Sequence, residues 1–501
     1  MKPESLKSCI QRRLWLVVDA HDAILSATLT GSFLEHDSLE GVSDIDLVVV
    51  VENLNAQRFE QLNAAFDEAL RTELAARGYG LRINSTLGPL KFNDPATAVL
   101  HLMLYSRDAH VDHVTQSPFT CFDWQRSATF RKRALAEIYP VFNLQPQHFM
   151  SSRRSVRDYL RDFDSGVVSY RELVCTSTGY REDARTRPMT GRDRHEFAYH
   201  ILRFLMQNLV KLVRRANLTL KGEALLAEFF AIFPEREAEV RRFYGRLRAK
   251  KVACDFSEPL EELETELTSF VAGFEAHFRR MFFEEATRHV AFRHGPTAAN
   301  RGARGQRVFL GRGDPPLEQI ETNIWEALAE QVAALAPKAA YSSPLTRCRQ
   351  SLDALTAHAS LPLVRADERI REMDYGELEG LTVGASRKSH ASLFEAWNHG
   401  QDPKFPGGEN SRDVTDRALE FVCEHWAGSP GNTVTCTHNV VLRCLIGHVL
   451  GLPSHHWHRL DVPHLAPISF VFTRSHGMYV DIPLDTARSM FRDFATQEQG
   501  T

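Results

Sequence analysis

Two groups of residues in this 501-residue chain have the types and spacing that chemistry on phosphate requires. In the C-terminal part, Arg293 and His294 end an apolar stretch, and Arg347 and His438 follow near the ends of two further predicted strands. A neutral imidazole attacks phosphorus when cations neutralise the non-bridging oxygens, and guanidinium groups match those oxygens in geometry. The pattern predicts phosphoryl chemistry with His294 as the nucleophile, and Gly295 is expected to let the backbone approach the anion closely.

The second group lies near the N-terminus. Gly31 and Ser32 follow the β-prone stretch Ile24–Thr30, and Asp44 and Asp46 open the next apolar run. In a strand both carboxylates project from the same face, and such a pair is costly unless a divalent cation binds it. The two carboxylates are expected to hold Mg²⁺ for triphosphate chemistry, and the Gly-Ser turn is expected to wrap a terminal phosphate.

The elements that would position these groups fall into three regions. The first, to about Met150, mixes predicted strands at Ile24–Thr30, Ile45–Val51 and 99–105 with a predicted helix at 57–77. The second, to about His289, has helical spacing at 197–213, 223–233 and 260–283, with a polar stretch at 181–194 that predicts a loop.

The third region alternates strands and helices. Strands are predicted up to Arg293, at Ala339–Ser342 and at Thr433–Thr437, and helices at 317–334, at 346–357, up to Trp426 and at 440–450. This alternation predicts a largely parallel sheet covered by helices, and ligands of such sheets bind at strand ends. The glycine-punctuated loop at 371–380 supplies a further carboxyl group, Glu372.

Composition excludes several classes of protein. The chain is 43% hydrophobic and 25% charged with a net charge of -4, which is typical of globular domains with cores of their own. Because 60 basic residues balance 64 acidic ones, neither nucleic acid nor a membrane surface is an expected partner. The eight scattered cysteines form no C-x-x-C pair, and neither a signal peptide nor a long apolar run is present, so a cytoplasmic location is expected.

The segment from Phe292 to about residue 475 resembles the histidine phosphatase (phosphoglycerate-mutase-like) superfamily. The resemblance rests on six motifs in order: RHG-x-T-x-x-N at 293–300, G-R-x-D-x-P-L at 311–317, S-P-L-x-R at 343–347, R-E-x-x-x-G at 371–376, P-G-G-E at 406–409 and the histidine at 438. Six ordered motifs on suitable elements are a far more specific signal than any one of them.

The resemblance implies that His294 becomes a phosphohistidine while Arg293, Arg347 and His438 hold the phosphoryl group, without a metal. Glu372 matches the acid that protonates the leaving oxygen and then activates water. Thr297 and Asn300, which belong to the first motif, are expected to contribute to substrate binding.

The sequence departs from the family pattern at three places. Pro296 stands where glutamate is common, Asn439 replaces the glycine that usually follows the late histidine, and the loop between Asn300 and Gly311 is longer. Each departure leaves the charged groups in place and is expected to reshape the pocket. The segment between Gly380 and Pro406, where a cap over the substrate is usual, is short and favours a small phosphoester.

The G-S-x11-D-x-D arrangement at 31–46 resembles the polymerase-β-like nucleotidyltransferase fold over about the first 110 residues. The resemblance implies transfer of a nucleoside monophosphate from an NTP to an acceptor, with release of pyrophosphate. Active relatives place a third carboxylate on a later strand, and His101 occupies that place here. Asp94, Asp108 and Asp112 lie nearby in sequence and leave the assignment of a third acid open.

We therefore expect a multidomain α/β protein. A nucleotidyltransferase-like α/β domain would span residues 1–150, an all-helical domain 151–285, and an α/β histidine phosphatase domain with a mostly parallel sheet 286–501. The expected protein is bifunctional: it acts on a small phosphorylated metabolite and an NTP in successive steps, with Mg²⁺ only in the N-terminal domain. The alternative is a phosphatase regulated by an N-terminal module that binds nucleotide without catalysis. No oligomeric state follows from the sequence.

Overall fold

The computed structural model describes residues 5–35, 45–84, 96–141, 144–151, 156–176, 179–215, 220–253, 255–257, 259–300, 307–473 and 476–491. The chain divides into two units, Met1–Gly273 and Phe274–Thr501. The domain boundaries expected at residues 150 and 285 stay a prediction.

The first unit contains a five-stranded mixed sheet. Its strands are β1 Ile24–Thr30, β2 Ile45–Val51, β3 Gly80–Asn84, β4 Thr97–Ser106 and β5 Phe130–Lys132, in the order β3-β4-β2-β1-β5. β2 and β3 each pair in parallel with β4, whereas β1 is antiparallel to β2 and β5. The three strands predicted in this region are confirmed, because runs of β-branched and aliphatic residues are buried at the centre of the sheet.

Twelve helices of the described ranges belong wholly or mainly to this unit. They are α1 Leu6–Ala20, α2 Ser32–Glu35, α3 Ala56–Ala75, α4 Arg107–Gln116, α5 Pro118–Trp124, α6 Leu135–Ile138, α7 Pro146–Ser151, α8 Val156–Ser165, α9 Gly191–Arg214, α10 Gly222–Ile232, α11 Glu237–Ala253 and α12 Leu260–Arg279. α1 and α3 cover one face of the sheet with Leu14, Phe66 and Leu70, which are fully buried against β1 and β2. Burial of such a continuous apolar face supplies most of the stability of a sheet-and-helix layer.

The region expected to be all-helical also contains a β-hairpin. β6 Val167–Thr176 pairs antiparallel with β7 Gly179–Pro188 over ten residue pairs. The loop predicted at 181–194 is therefore wrong: these residues form β7 and the start of α9, where Thr190 and Asp193 cap the helix reciprocally. Ala184, Arg185 and Thr186 are exposed, because a two-stranded hairpin leaves much of its surface in water and does not need an apolar pattern.

The second unit contains a six-stranded sheet in the order β10-β9-β11-β8-β12-β13. The strands are β8 Thr287–Arg293, β9 Ala339–Ser342, β10 Val364–Ala366, β11 Thr433–Thr437, β12 Pro467–Thr473 and β13 Gly477–Asp481. The first four in this order pair in parallel, and β12 and β13 add an antiparallel edge. The predicted sheet is confirmed as α/β, but it is mixed, because β12 and β13 are adjacent in sequence and pair as an antiparallel hairpin without a crossover helix.

The helices of the second unit are α13 Thr322–Leu335, α14 Thr346–Thr356, α15 Val383–Ser389, α16 Ala391–Asn398, α17 Ser411–Val422, α18 Asn439–Leu450 and α19 Leu484–Met490. The helix predicted from residue 317 begins only at Thr322. The backbone N–H of Leu317 donates to the side chain of Gln350, and that of Glu318 donates to the carbonyl of Pro296. These long-range bonds replace the first turn of the predicted helix.

The segment that carries α15 and α16 begins and ends at one place. The N–H of Glu377 donates to the carbonyl of Pro406 over 2.9 Å. Its two ends therefore meet beside the loop that carries Glu372. Within the described ranges, every helix is too short or too polar to span a lipid bilayer.

Candidate active site at the strand ends of the second unit

Three parallel strands bring the predicted phosphoryl-binding residues to one edge of the sheet. Arg293 and Thr437 are register partners at the ends of β8 and β11, and Cys436 is the partner of Ser342 at the end of β9. His294 and His438 each follow the last residue of a strand. Because parallel strands end at the same edge, residues far apart in sequence meet there. The rings of the two histidines lie 5.1 Å apart between centroids.

The side chain of His294 is held as a neutral imidazole. Its Nδ1 lies 2.6 Å from the carbonyl oxygen of Gly295, and since a carbonyl only accepts, Nδ1 carries the proton. Burial and the charges of Arg293 and Arg347 lower the pKa of His294 well below its ordinary value. The lone pair therefore lies on Nε2, which is the nitrogen that faces Arg347.

Arg347 is almost completely buried beside this nitrogen. Its Nε donates to His294 Nε2 over 3.2 Å, and its two terminal nitrogens donate to the carbonyls of Gly313 and Gly311 over 2.6 and 3.0 Å. The carboxylate of Glu379 accepts from the N–H groups of both glycines over 2.9 Å. Glu379 thus holds the loop whose carbonyls orient the guanidinium group.

Arg293 presents a second cation to the site. One terminal nitrogen donates to the carbonyl of Val462 over 3.0 Å, whereas its buried Nε has no hydrogen-bond partner among the described residues. Burial, with the like charge of Arg443, lowers the pKa of Arg293 to about 10, so the side chain is still charged at neutral pH. A buried, unpaired N–H beside a nucleophile suits an anionic oxygen.

His438 completes this group of residues. Its Nε2 lies 2.8 Å from the hydroxyl of Ser343 and 3.4 Å from the sulfur of Cys348. Burial and the charge of Arg347 lower the pKa of His438 well below its ordinary value, so this ring is also neutral. A neutral ring beside the nucleophile can donate one hydrogen bond to a phosphoryl oxygen.

Glu372 lies in the same site with 5% of its surface exposed. Its Oε1 accepts from the N–H of Met373 over 2.9 Å and from the N–H of Val440, in the first turn of α18, over 3.2 Å. These bonds fix the carboxyl group at the N-terminus of α18. The charges of Glu372 and Arg293 interact directly, which places the carboxyl group near the phosphoryl-binding cations.

Three residues of the first motif, Gly295, Thr297 and Asn300, pack against or bond to other residues of the protein. A Cβ on Gly295 would lie 2.4 Å from Ile320, and the N–H of Gly295 donates to Ser351, so this glycine permits close packing, and approach of an anion to it stays a prediction. The N–H and the hydroxyl of Thr297 both donate to Asn300 Oδ1, and Thr297 is fully buried. In the structure Thr297 and Asn300 close the turn after the nucleophile.

Several residues that support the site were not singled out by the sequence. The Nδ1 of His464 donates to the backbone carbonyl of His294 over 2.6 Å, and Arg417 donates to Glu409 and to the carbonyl of Glu372. Glu409 belongs to the P-G-G-E motif and could have been found there. His464 and Arg417 stand in no motif, so only the fold reveals them.

In the first unit, Asp46 is the one predicted metal ligand that the structure describes; Asp44 and Asp94 lie outside the described residues. Asp46 lies between Thr30 and His101 in the sheet, and its Oδ1 is 3.1 Å from His101 Nδ1. Gly31 has a positive φ of 74°, and a Cβ there would lie 2.3 Å from Asp46 Oδ2. Gly31 and Asp46 are therefore in contact, as the predicted site requires, and His101 is beside them.

These residues alone do not suit Mg²⁺, which prefers several oxygen ligands in octahedral geometry. One carboxylate and one imidazole are present, and the described residues contain no cluster of three His, Cys, Asp or Glu side chains with metal-binding geometry. Of Ser32 the structure describes the backbone at the start of α2. Asp108 and Asp112 lie on α4.

A buried neutral imidazole flanked by two arginines has the chemistry that binding and transfer of a phosphoryl group require. The family described as histidine phosphatase superfamily (branch 1) matches residues 290–482. Glucosyl-3-phosphoglycerate phosphatase of Mycolicibacterium vanbaalenii is 32% identical over 178 residues, which cover 34% of this chain and 77% of the relative.

Two further comparisons concern the same class. The protein named "Probable phosphoglycerate mutase GpmB" of Salmonella paratyphi C is 30% identical over 170 residues, covering 32% of this chain and 74% of its own. Among solved structures, Mycobacterial hydrolase 1 matches 39% of this chain and 97% of its own, at 26% identity and a TM-score of 0.35. The chain belongs to the histidine phosphatase superfamily, and its C-terminal part is a phosphatase. The resemblance predicted for this region is confirmed, whereas the N-terminal resemblance stays a prediction.

Proposed function

We propose that the C-terminal unit hydrolyses a phosphomonoester of a small metabolite through a phosphohistidine at His294. The observation that carries this proposal is the tautomer of His294: its proton is committed to Gly295, and the lone pair on Nε2 accepts from the buried guanidinium group of Arg347. The relatives support a small substrate, since the names of both refer to phosphoglycerate, in one of them with a glucosyl group.

The proposed reaction has two steps. In the first, His294 Nε2 bonds to phosphorus while Arg293, Arg347 and His438 bind the non-bridging oxygens, and the leaving oxygen takes a proton from Glu372. In the second, Glu372 removes a proton from water, the water oxygen bonds to phosphorus, and the P–N bond breaks to release phosphate. The neutral ring is regenerated.

Replacement of the nucleophile tests this mechanism. We expect His294→Ala to abolish hydrolysis of 4-nitrophenyl phosphate, and we expect EDTA to leave the wild-type rate unchanged because arginines neutralise the phosphate. The exposed His358 offers a matched control, and His358→Ala is expected to keep wild-type activity. A near wild-type rate in His294→Ala would reject the phosphohistidine, and loss of activity in EDTA that Mg²⁺ restores would indicate a metallophosphatase.

We also propose that the N-terminal unit binds an NTP at Gly31, Ser32 and Asp46 and transfers its nucleotidyl group to a small-molecule acceptor. The phosphatase would act on the same metabolite in a successive step. The contact between Gly31 and the carboxylate of Asp46 at the end of β1 supports this proposal. Mg²⁺ dependence is part of the proposal and depends on Asp44 together with Asp46.

Release of pyrophosphate tests this second activity. Full-length protein is incubated with Mg²⁺, each NTP and a panel of candidate acceptors; we expect acceptor-dependent pyrophosphate in wild type and in Asp67→Asn, an exposed control on α3, but none after replacement of Asp44 and Asp46 by Asn. A nucleotide sensor predicts no pyrophosphate, and a phosphatase rate that changes with NTP only while Asp44 and Asp46 are intact. Pyrophosphate release that survives the double substitution would reject the site.

A further inference from the structure

Beside the phosphoryl-binding residues, three guanidinium groups surround one carboxylate. Asp461 Oδ1 lies 4.0 Å from a terminal nitrogen of Arg293 and 3.8 Å from one of Arg443, and Asp461 Oδ2 lies 4.0 Å from Arg307. All three distances exceed the length of a hydrogen bond. The three guanidinium groups therefore share Asp461 as a loosely held counter-charge, and Glu372 acts in addition on Arg293.

The arginine on α18 is the least satisfied of the three. Only 19% of the Arg443 side chain is exposed, and its Nε is buried without a hydrogen-bond partner among the described residues. Burying a guanidinium N–H without a partner is costly, so such groups are normally paired with an anion. Asp461 does not provide that pairing, since it contacts Arg443 only at long range.

The position of Arg443 connects this cluster to the reaction. Arg443 lies one helical turn after Asn439, and the Asn439 side chain accepts from the N–H of Val462 over 3.3 Å. That bond fixes the segment containing Asp461 against the first turn of α18, where Val440 holds Glu372. The charge of Arg443 also acts directly on Arg293. A second anion bound at Arg443 would therefore lie near Arg293 and the first turn of α18.

We propose that Arg443 and Arg307 form a second anion subsite, so that the preferred substrate is a phosphomonoester with a carboxylate or a second phosphate a few bonds from the scissile group. The inference rests on the phosphatase function proposed above. Guanidinium groups bind either anion in bidentate fashion, and the incoming group would replace the long contacts of Asp461 with short, charge-assisted hydrogen bonds. A substrate with a hydroxyl group in the same place would leave Arg443 unpaired.

Two matched pairs of substrates test the subsite. 3-Phosphoglycerate is compared with glycerol 3-phosphate, which lacks the carboxylate, and fructose 1,6-bisphosphate is compared with fructose 6-phosphate, which lacks the second phosphate. We expect kcat/KM to favour the more anionic member of at least one pair by about tenfold or more, as one charge-assisted hydrogen bond provides. The pair that shows the ratio identifies the anion.

Variants then assign the ratio to its residues. We expect Arg443→Gln to reduce the kcat/KM ratio of the pair about tenfold. Arg307→Gln, at a half-exposed site that tolerates substitution, is expected to reduce this ratio less. Arg365→Gln, on the opposite edge strand β10, is expected to leave the ratio unchanged. Asp461→Asn, which removes the competing carboxylate, is expected to raise it.

The possible failures are distinguishable. If wild type hydrolyses none of the four esters nor 4-nitrophenyl phosphate, the proposed function itself fails. Hydrolysis of both members of each pair with equal kcat/KM, or a ratio that survives in both arginine variants, overturns the subsite while the phosphatase proposal stands.

Discussion

The chemistry of the phosphatase site is determined by where a few protons lie. The proton of His294 is held by Gly295, and the carboxyl group of Glu372 is held by two backbone N–H groups at a helix start. Each of these side chains therefore has one committed face and one face for substrate. Such prior orientation lowers the barrier because no reorganisation is needed during the reaction.

Glu372 gives a prediction at this scale. We expect Glu372→Gln to lower kcat for an alkyl phosphate by ~10²–10⁴-fold, because an alkoxide needs a proton to leave. For 4-nitrophenyl phosphate the loss of rate in the first step is expected to be much smaller, since nitrophenolate leaves without a proton. Single-turnover release of the alcohol and of nitrophenolate, which both leave in the first step, measures the difference.

Glu368 is the matched control for that experiment, because its carboxylate is two-thirds exposed and paired with Arg371. Glu368→Gln is expected to leave both rates unchanged. Equal losses for the two substrates in Glu372→Gln would assign the acid role to another group.

The charged residues of the site were predictable because each stands in a motif of common residue types at fixed spacing. The supporting residues were not. His464 contacts His294 across 170 positions of sequence, and Ser351 reaches Gly295 across 56. Such contacts exist only once the sheet has formed, and a single serine or histidine in a sequence carries no sign of them.

At the scale of elements, predictability followed burial. The predictions of β1, β2, β9 and β11 were confirmed because buried strands are rich in aliphatic, β-branched and small residues. β6 and β7 were missed because a two-stranded hairpin needs no run of buried residues. The start of α13 was misplaced because the backbone N–H groups of residues 317 and 318 form long-range hydrogen bonds instead of a first helical turn.

The loop of Glu372 is fixed by close contact between backbones. Gly376 has a positive φ of 51°, and a Cβ there would lie 2.1 Å from the carbonyl of Pro406; a Cβ on Gly408 would lie 2.4 Å from the carbonyl of Asp374. The two glycines let the segments around Glu372 and Glu409 lie directly against each other. A side chain at either position must separate them.

Three glycine-to-alanine substitutions separate conformational strain from overlap. We expect Gly376→Ala to lower the free energy of unfolding by about 1–2 kcal/mol for its positive φ and by about 1–3 kcal/mol more for overlap. Gly407→Ala, with a φ of 70° and no atom within 4 Å, should show the first loss only. Gly428→Ala, with a φ of -92° and a nearest contact of 3.7 Å, should show neither. Urea unfolding measures all three, and equal losses at 376 and 407 would contradict the overlap.

At the scale of the whole molecule, both units bury histidines in neutral form. Burial lowers the pKa of His110 in the first unit to about 4 and that of His289 in the second to about 3. Both residues are fully buried. Because their pKa values are lower in the folded state than the ordinary value near 6.5, the unfolded chain binds more protons below that pH.

The protein is therefore expected to lose stability in acid. The contribution of each neutral histidine to the free energy of unfolding is fully present above pH 6.5 and is lost as the pH falls toward 4 or 3. Between pH 7 and 5.5 the loss is about 1 kcal/mol per histidine. Urea midpoints at the two pH values measure the loss for each unit. His289→Gln should reduce the number of protons that the second unit takes up on unfolding by up to one. Urea midpoints that do not change between pH 7 and 5.5 would contradict this linkage.

The meeting of Glu377 and Pro406 has a consequence for how this enzyme can diversify. Because the two ends of the segment carrying α15 and α16 are joined by a hydrogen bond, that segment is a closed insert on the catalytic framework. Lengthening such an insert costs only slowly increasing closure entropy, about 0.6 kcal/mol for each doubling of length. Natural or laboratory exchange of α15 and α16 that keeps Glu379 can therefore supply new substrate ranges without removing the carboxylate that holds the loop beside Arg347.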